Sequence, residues 1–128
     1  MLFYDLFRHD PNLQSLPADS TLFQEGDAGN VMYVLVAGHA TIHGGDLLLE
    51  EIGPGDIVGE LAVIDSSPRT ASVVANTDCL LAVIDQSRFR FLVQKNPDFA
   101  LDVMGVMARR LRQCDLRLRA QITPEATA

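Results

Sequence analysis

Glu60 and Arg69 are the two side chains whose types and spacing could do chemistry together. Arg69 is the only lysine or arginine between Arg8 and Arg88, and residues 9–87 hold twelve carboxylates. A surface chosen only for solubility would scatter lysines, so a lone arginine in this interval calls for a reason. Glu60 follows Gly59, and a glycine there lets the backbone approach another group closely. The stretch ELAVI, residues 60–64, lacks Gly, Pro and Asn and predicts one short helical turn. The first turn of a helix leaves backbone N–H groups unpaired, which favours an anion. Asp65-Ser-Ser-Pro68 then turns the chain into a strand that begins at Arg69. An arginine there can lay its planar fork on the same anion. A carboxylate cannot bind an anion, but it accepts hydrogen bonds from a sugar hydroxyl. One glutamate, one arginine and a set of N–H groups therefore describe a pocket for a sugar phosphate. The plainer alternative is a simple Glu60–Arg69 ion pair. Neither a G-x-x-x-x-G-K phosphate loop nor a dinucleotide fingerprint is present.

The elements that must position this pair fall into two regimes. Residues 20–84 read as short strands broken by turns. Thr21 to Gln24 is a strand candidate, and Glu25 to Asn30 is a turn. VMYVLVA, residues 31–37, is a nearly continuous apolar run of strand length, expected to be buried on both faces. Gly38 bends the chain, and His39 to His43 alternates as a half-buried strand does. Gly44-Gly45-Asp46 predicts a hairpin turn, with Leu47 to Ile52 as the returning strand. Gly53-Pro-Gly-Asp56 is a second tight turn. Thr70 to Ala75 and Cys79 to Ile84 complete six or seven strands, the pattern of a sandwich, barrel or roll. Ahead of them, Phe3, Leu6 and Phe7 mark one face of a short helix ended by Pro11.

From Gln86 the period changes to that of a helix. Phe89, Leu92 and Val93 mark a one-sided helix over 86–95, and Asn96-Pro97 separates it from a second one, expected over 97–120. In that second helix Ala100, Met104, Met107, Leu111, Cys114 and Leu118 follow heptad spacing. The seam predicts a homodimer through this helix, or the packing of the same face on the strands. Five arginines, Arg109, Arg110, Arg112, Arg117 and Arg119, crowd its second half, where they suit the helix dipole. The tail from Thr123 is expected to fray.

The bulk properties set bounds. The chain has 128 residues, 48 % hydrophobic content and a net charge of −7, with a pI near 4.7. This is one ordinary domain with an adequate core, read as a single unit over 1–128. The acidic balance argues against nucleic acid and against an anionic membrane surface. Cys79 and Cys114 form no C-x-x-C motif, and no run has transmembrane length, which places the chain in the cytoplasm as an expectation. His39 and His43 lie four apart on a strand, too far apart to chelate easily, so no metal and no bound cofactor are expected.

The stretch Gly59-Glu-Leu-Ala62, six residues, then Arg69-Thr-Ala-Ser-Val73, resembles the phosphate-binding cassette of cyclic nucleotide-binding domains. The likeness extends to Leu22-Phe-Gln-Glu-Gly-Asp27, to Met32-Tyr-Val34 with Gly38, and to Phe89 through Leu111, which is similar to the helical end of the bacterial catabolite activators of Crp-Fnr type. It covers roughly residues 20 to 120. The resemblance implies a mainly β fold with α: a β-roll (a double-stranded, jelly-roll-like β-helix) of about seven to eight short strands, residues 20–85, followed by two C-terminal helices. It implies that Glu60 takes the ribose 2′-hydroxyl and Arg69 the cyclic phosphate. Gly59, Leu61 and Ala62 would cradle that phosphate with their backbone. Thr70 would add a hydroxyl, and Leu49 and Val73 would line the pocket.

Two departures from the family bear on function. Where the catabolite activators carry a hydroxyl pair that reaches adenine, this chain has Cys114 and Asp115. Asp115 could accept from the N–H groups of guanine, so the ligand is cAMP or cGMP. The chain also shows no winged helix-turn-helix pattern. The expected function is a non-catalytic sensor of a cyclic nucleotide, signalling through its C-terminal helices without reading DNA itself. The alternatives are a β-roll that binds no nucleotide and serves only for dimerisation or interaction, and a cupin-type enzyme, which would need clustered histidine ligands.

Overall fold

The computed structural model describes the backbone of residues 2–127 and the side chains of residues 3–120. The elements run α1 (Leu2–Phe7), β1 (Gln14–Leu16), β2 (Thr21–Phe23), β3 (Met32–Ala37), β4 (Ala40–Gly44), β5 (Leu47–Ile52), β6 (Ile57–Val58), α2 (Glu60–Asp65), β7 (Ser72–Ala75), β8 (Cys79–Ile84), α3 (Gln86–Lys95) and α4 (Pro97–Thr127). The strands form two four-stranded sheets, ordered β1-β8-β3-β6 and β2-β7-β4-β5. Every pairing is antiparallel. This is the β-roll of about seven to eight short strands that the family resemblance implies, here with eight strands and with helices at one side.

Alternation along the strands explains the two cores. Leu16, Leu35, Val58 and Leu81 of the first sheet meet Ala40, Ile42, Ile52, Val73 and Ala75 of the second inside the roll. The opposite face of the first sheet, with Met32, Val34, Val36, Ala82 and Ile84, packs on Phe3, Phe7, Val63, Phe99 and Val103 of the helices. Strand β3 therefore has both faces covered, which is why its sequence reads as an unbroken apolar run. Phe99 is the hub of the helical side. Its ring meets Phe3 at 5.8 Å, Phe7 at 6.4 Å and Phe89 at 5.5 Å, all edge to face.

The boundaries differ from expectation in three places. The roll begins at Gln14 rather than near 20, because β1 pairs with β8 through only three residues, too few to show a period. Strand β6 is a two-residue pairing of Ile57 and Val58 with Val34 and Tyr33, hidden between a turn and Gly59. Helix α4 continues to Thr127, past the expected end near 120 and through the tail expected to fray. The side chains from 121 onward lie outside the described residues.

Turns are set by residues that tolerate positive φ. Gly45 (φ 60°) closes the β4–β5 hairpin and Gly55 (φ 94°) the turn before β6. Asp56 fastens the second turn by accepting from the Gly53 N–H at 2.8 Å. The N-terminal helix is tied to α3 by Arg88, which pairs with Asp10 at 2.7 Å and lies 5.1 Å from the Phe7 ring centre.

Candidate functional site

Helix α2 is the first device of the site. It is the short helical element expected after Gly59, and Gly59 is its N-cap in a left-handed conformation, φ 78°. No side chain caps it, so its first-turn N–H groups have no capping side chain. The glycine is needed twice over. A Cβ at this position would meet Arg69 Nη1 at 2.5 Å and the Val31 carbonyl at 3.1 Å.

Arg69 is the second device. Its backbone is pinned to the turn before β3: its N–H donates to the Asp27 carbonyl, and its own carbonyl accepts from Gly26, both at 2.8 Å. The residue is 6 % exposed. Nη1 donates to the Val31 carbonyl at 2.8 Å, and the guanidinium lies 4.2 Å from the Phe23 ring centre. Phe23 in turn stacks on Tyr33. Gly29 passes so close that any Cβ there would collide with the Arg69 Nε and Cζ atoms. The backbone of Gly29 and Gly59 and the Phe23 ring thus form a fitted slot for one guanidinium.

The slot does not neutralise its occupant. No carboxylate of the described residues forms an ion pair with Arg69. Its Nε is buried without a hydrogen-bond partner. Burial pushes the Arg69 guanidinium below its usual pKa, against the weaker pull of Tyr33, Asp27 and Glu60. A buried cation of this kind is costly unless an anion is supplied.

Glu60, also 6 % exposed, takes a different partner. Arg110 of α4 donates from Nη1 to Glu60 Oε1 at 2.6 Å. Its Nε reaches Glu50 Oε1 at 3.1 Å, and Nη2 reaches the Ile57 carbonyl at 2.7 Å. Desolvation opposes the charge on Arg110, yet Glu60 and Glu50 together raise its pKa. The simple Glu60–Arg69 ion pair is therefore not what this fold makes. Arg117 adds a second tie from α4 to the roll, donating to the Leu49 carbonyl at 2.5 Å.

Between the roll and α4 these groups enclose a cavity of about 480 Å³, within the usual size of small-molecule sites. Nine of the ten residues singled out in the sequence line it: Leu49, Gly59, Glu60, Leu61, Ala62, Arg69, Thr70, Val73 and Cys114. Asp115 does not. It lies on the outer side of α4, 54 % exposed and paired with Arg119 at 3.1 Å. One helical position rotates a side chain by about 100°, which carries residue 115 out of a wall that residue 114 still reaches.

Sequence reading missed Phe23, Gly29, Glu50, Arg110, Gln113 and Arg117. A signal for the α4 residues existed. Phe99, Val103, Val106, Arg110, Gln113 and Arg117 are spaced 4, 3, 4, 3 and 4, the same heptad rhythm as the expected seam and one residue behind it. This second row faces the roll, with Phe99 and Val103 fully buried. Of the expected seam, Met107, Leu111 and Cys114 line the cavity, while Met104 and Leu118 are 59 and 56 % exposed.

Known proteins are similar to this chain in sequence and fold. Residues 13–96 match the family described as "Cyclic nucleotide-binding domain". The CRP-like cAMP-activated global transcriptional regulator of Mycobacterium tuberculosis is 32 % identical over 107 residues, which cover 80 % of this chain and 48 % of that protein. The crystal structure of the Thermus thermophilus catabolite activator protein superposes with a TM-score of 0.78 at 30 % identity, covering 91 % of this chain and 57 % of that one. The cAMP-bound form of the EAL enzyme Bd1971 superposes with a TM-score of 0.62 at 31 % identity, covering 88 % and 32 %. The chain thus spans about half the length of the curated relatives it matches. With its cassette, its roll and its last helix all accounted for in this way, the chain belongs to the cyclic nucleotide-binding domain family, in the Crp-Fnr type.

Proposed function

We propose that the cavity binds one cyclic mononucleotide, cAMP or cGMP, and that the chain is a sensor and not an enzyme. The observation that carries this is Arg69: a guanidinium held in a fitted slot, buried, and without a carboxylate partner. A cyclic phosphate supplies the missing charge and accepts from Nε. The N–H groups at the start of α2, backed by Gly59, Leu61 and Ala62, face the same anion. Glu60 Oε1 is engaged by Arg110, which leaves the second oxygen to accept the ribose 2′-hydroxyl. Thr70 lies beside Arg69 with its hydroxyl available, and Leu49 and Val73 give the apolar wall.

Occupancy is passed to α3 and α4 as a population shift. The ligand touches the roll and, through Glu60 and Arg110, the last helix, so it favours the placement of α4 in which both contacts exist. The exposed row of Met104, Leu111 and Leu118 is the surface for a homodimer. The chain works in the cytoplasm, without metal or cofactor, and its acidic balance suits neither nucleic acid nor membrane. Among the described residues no helix is long and apolar enough to cross a membrane.

Titration calorimetry tests the reading. The wild-type chain is expected to bind cAMP or cGMP, and Arg69→Ala to weaken that binding by about 10- to 150-fold, the worth of charged hydrogen bonds. Full affinity in Arg69→Ala would overturn the phosphate role. No binding and no thermal shift with millimolar nucleotide would assign the chain to the alternative, a β-roll used only for interaction.

A further inference from the structure

We infer that Phe23 is a positioning residue of the phosphate site: the face of its ring holds the Arg69 guanidinium without neutralising it, so the ligand's anion meets a cation with no carboxylate to displace. The inference rests on the nucleotide-binding reading above. A buried cation without an anionic partner needs another source of negative potential. The face of an aromatic ring is one, and its pull on a cation is strongest where water is excluded. The Arg69 Cζ lies 4.2 Å from the Phe23 ring centre and 5.9 Å from that of Tyr33. The two rings stack, with centres 6.2 Å apart and planes 29° apart.

A strand irregularity puts this ring in place. In β2, Thr21 pairs with Val74 but Phe23 pairs with Val73, so the register shifts between them. Residues paired across strands share a face of the sheet, and Val73 is buried inside the roll. Strict alternation would have left Phe23 on the same face as Thr21, which is exposed. The shift turns Phe23 inward instead, into the wall of the cavity and against Arg69. Re-aiming a side chain beside a site is a known use of such bulges.

A ring does here what a carboxylate could not. A carboxylate beside Arg69 would hold it too, but it would accept from the guanidinium N–H groups and compete with the phosphate for them. The Phe23 ring attracts the cation through its face and accepts no hydrogen bond from its edge. Nη1 is committed to the Val31 carbonyl, and Nε has no partner. The guanidinium is thus fixed in orientation and keeps a charged donor for the ligand.

Calorimetric titration of cAMP and cGMP tests this in Phe23→Leu and in a series where Phe23 is replaced by successively fluorinated phenylalanines. Fluorine draws electron density from the ring face at nearly constant shape, so the series weakens the cation–π contact and leaves the packing in place. Affinity is expected to fall step by step along the series, and by about 2- to 30-fold in Phe23→Leu. Retained melting temperatures of the ligand-free variants show that they fold. Binding that depends on Arg69 but stays unchanged along the fluorinated series would overturn this inference, make Phe23 a packing residue only and leave the nucleotide site standing. Full affinity in Phe23→Leu would overturn it as well. No binding of either nucleotide by wild type would overturn both readings.

Discussion

At the scale of single residues, the site depends on what surrounds one guanidinium. Gly29 and Gly59 exist to make room for Arg69, because a Cβ on either would enter the space its nitrogen and carbon atoms occupy. Gly59 also holds a positive φ, so its replacement combines two faults. Gly29 does not have a positive φ and isolates the steric term. Gly29→Ala is therefore expected to destabilise the ligand-free protein and to weaken nucleotide binding. In an Arg69→Ala background the same change should cost little, because the collision partner is gone. Urea unfolding of the four proteins would give a coupling of at least about 0.5 kcal/mol, as neighbours in contact show. Additive effects would mean that Gly29 serves some other purpose. The sequence made Arg69 visible through its isolation among carboxylates. It could not show Gly29, since forty residues separate the two and nothing local connects them.

At the scale of elements, α4 is fastened to the roll by arginines as much as by apolar contact. Arg110 joins β5, β6 and α2 through Glu50, Ile57 and Glu60. Removing it would leave Glu60 buried without its partner. Arg110→Ala is expected to cost about 3–5 kcal/mol, the usual penalty for breaking a buried pair from one side, read by urea unfolding. A loss near that of an exposed pair, below about 1 kcal/mol, would show that water takes the place of Arg110. The contact of α1 with α3 makes a different, pH-dependent contribution. Burial alone would raise the Asp10 carboxyl, but the Asn12 N–H and Arg88 hold it below its usual 3.8. A lowered carboxyl stabilises the fold above its unfolded pKa, and that stability is lost as pH falls through the folded value. Asp10→Asn should therefore be less stable than wild type at pH 7, and the gap should close below about pH 4. A gap that persists unchanged in acid would exclude the ion pair as its source.

At the scale of the molecule, α4 has two heptad rows on neighbouring faces, and the fold uses one throughout and the other in part. The row from Phe99 to Arg117 is committed to the roll. Met104 and Leu118 of the other row are left in solvent, and these exposed apolar side chains are the proposed dimer surface. Sedimentation analysis should find wild type as a dimer at tens of micromolar. Met104→Glu with Leu118→Glu should give a monomer, since neither residue lines the ligand cavity. A wild-type monomer at that concentration would remove the dimer from the proposal.

The sequence by itself determined a succession of short alternating strands followed by two helices, and its resemblance to a known family implied the β-roll and the Glu60–Arg69 cassette. These are local properties: period, turn chemistry and residue type within a short window. Strands β1 and β6 escaped, because two or three residues cannot carry a period and are held only by their partners. Only the tertiary structure decided which charges meet. It gave Glu60 to Arg110 instead of Arg69, left Arg69 without a carboxylate, and turned Asp115 outward while bringing Gln113 in. The reason is geometric. Both rows of α4 satisfy the same rhythm, and which one packs is settled by the apolar bulk of Phe99 and Val103 against the sheet, after which the rotation of every later residue on that rigid helix is no longer free.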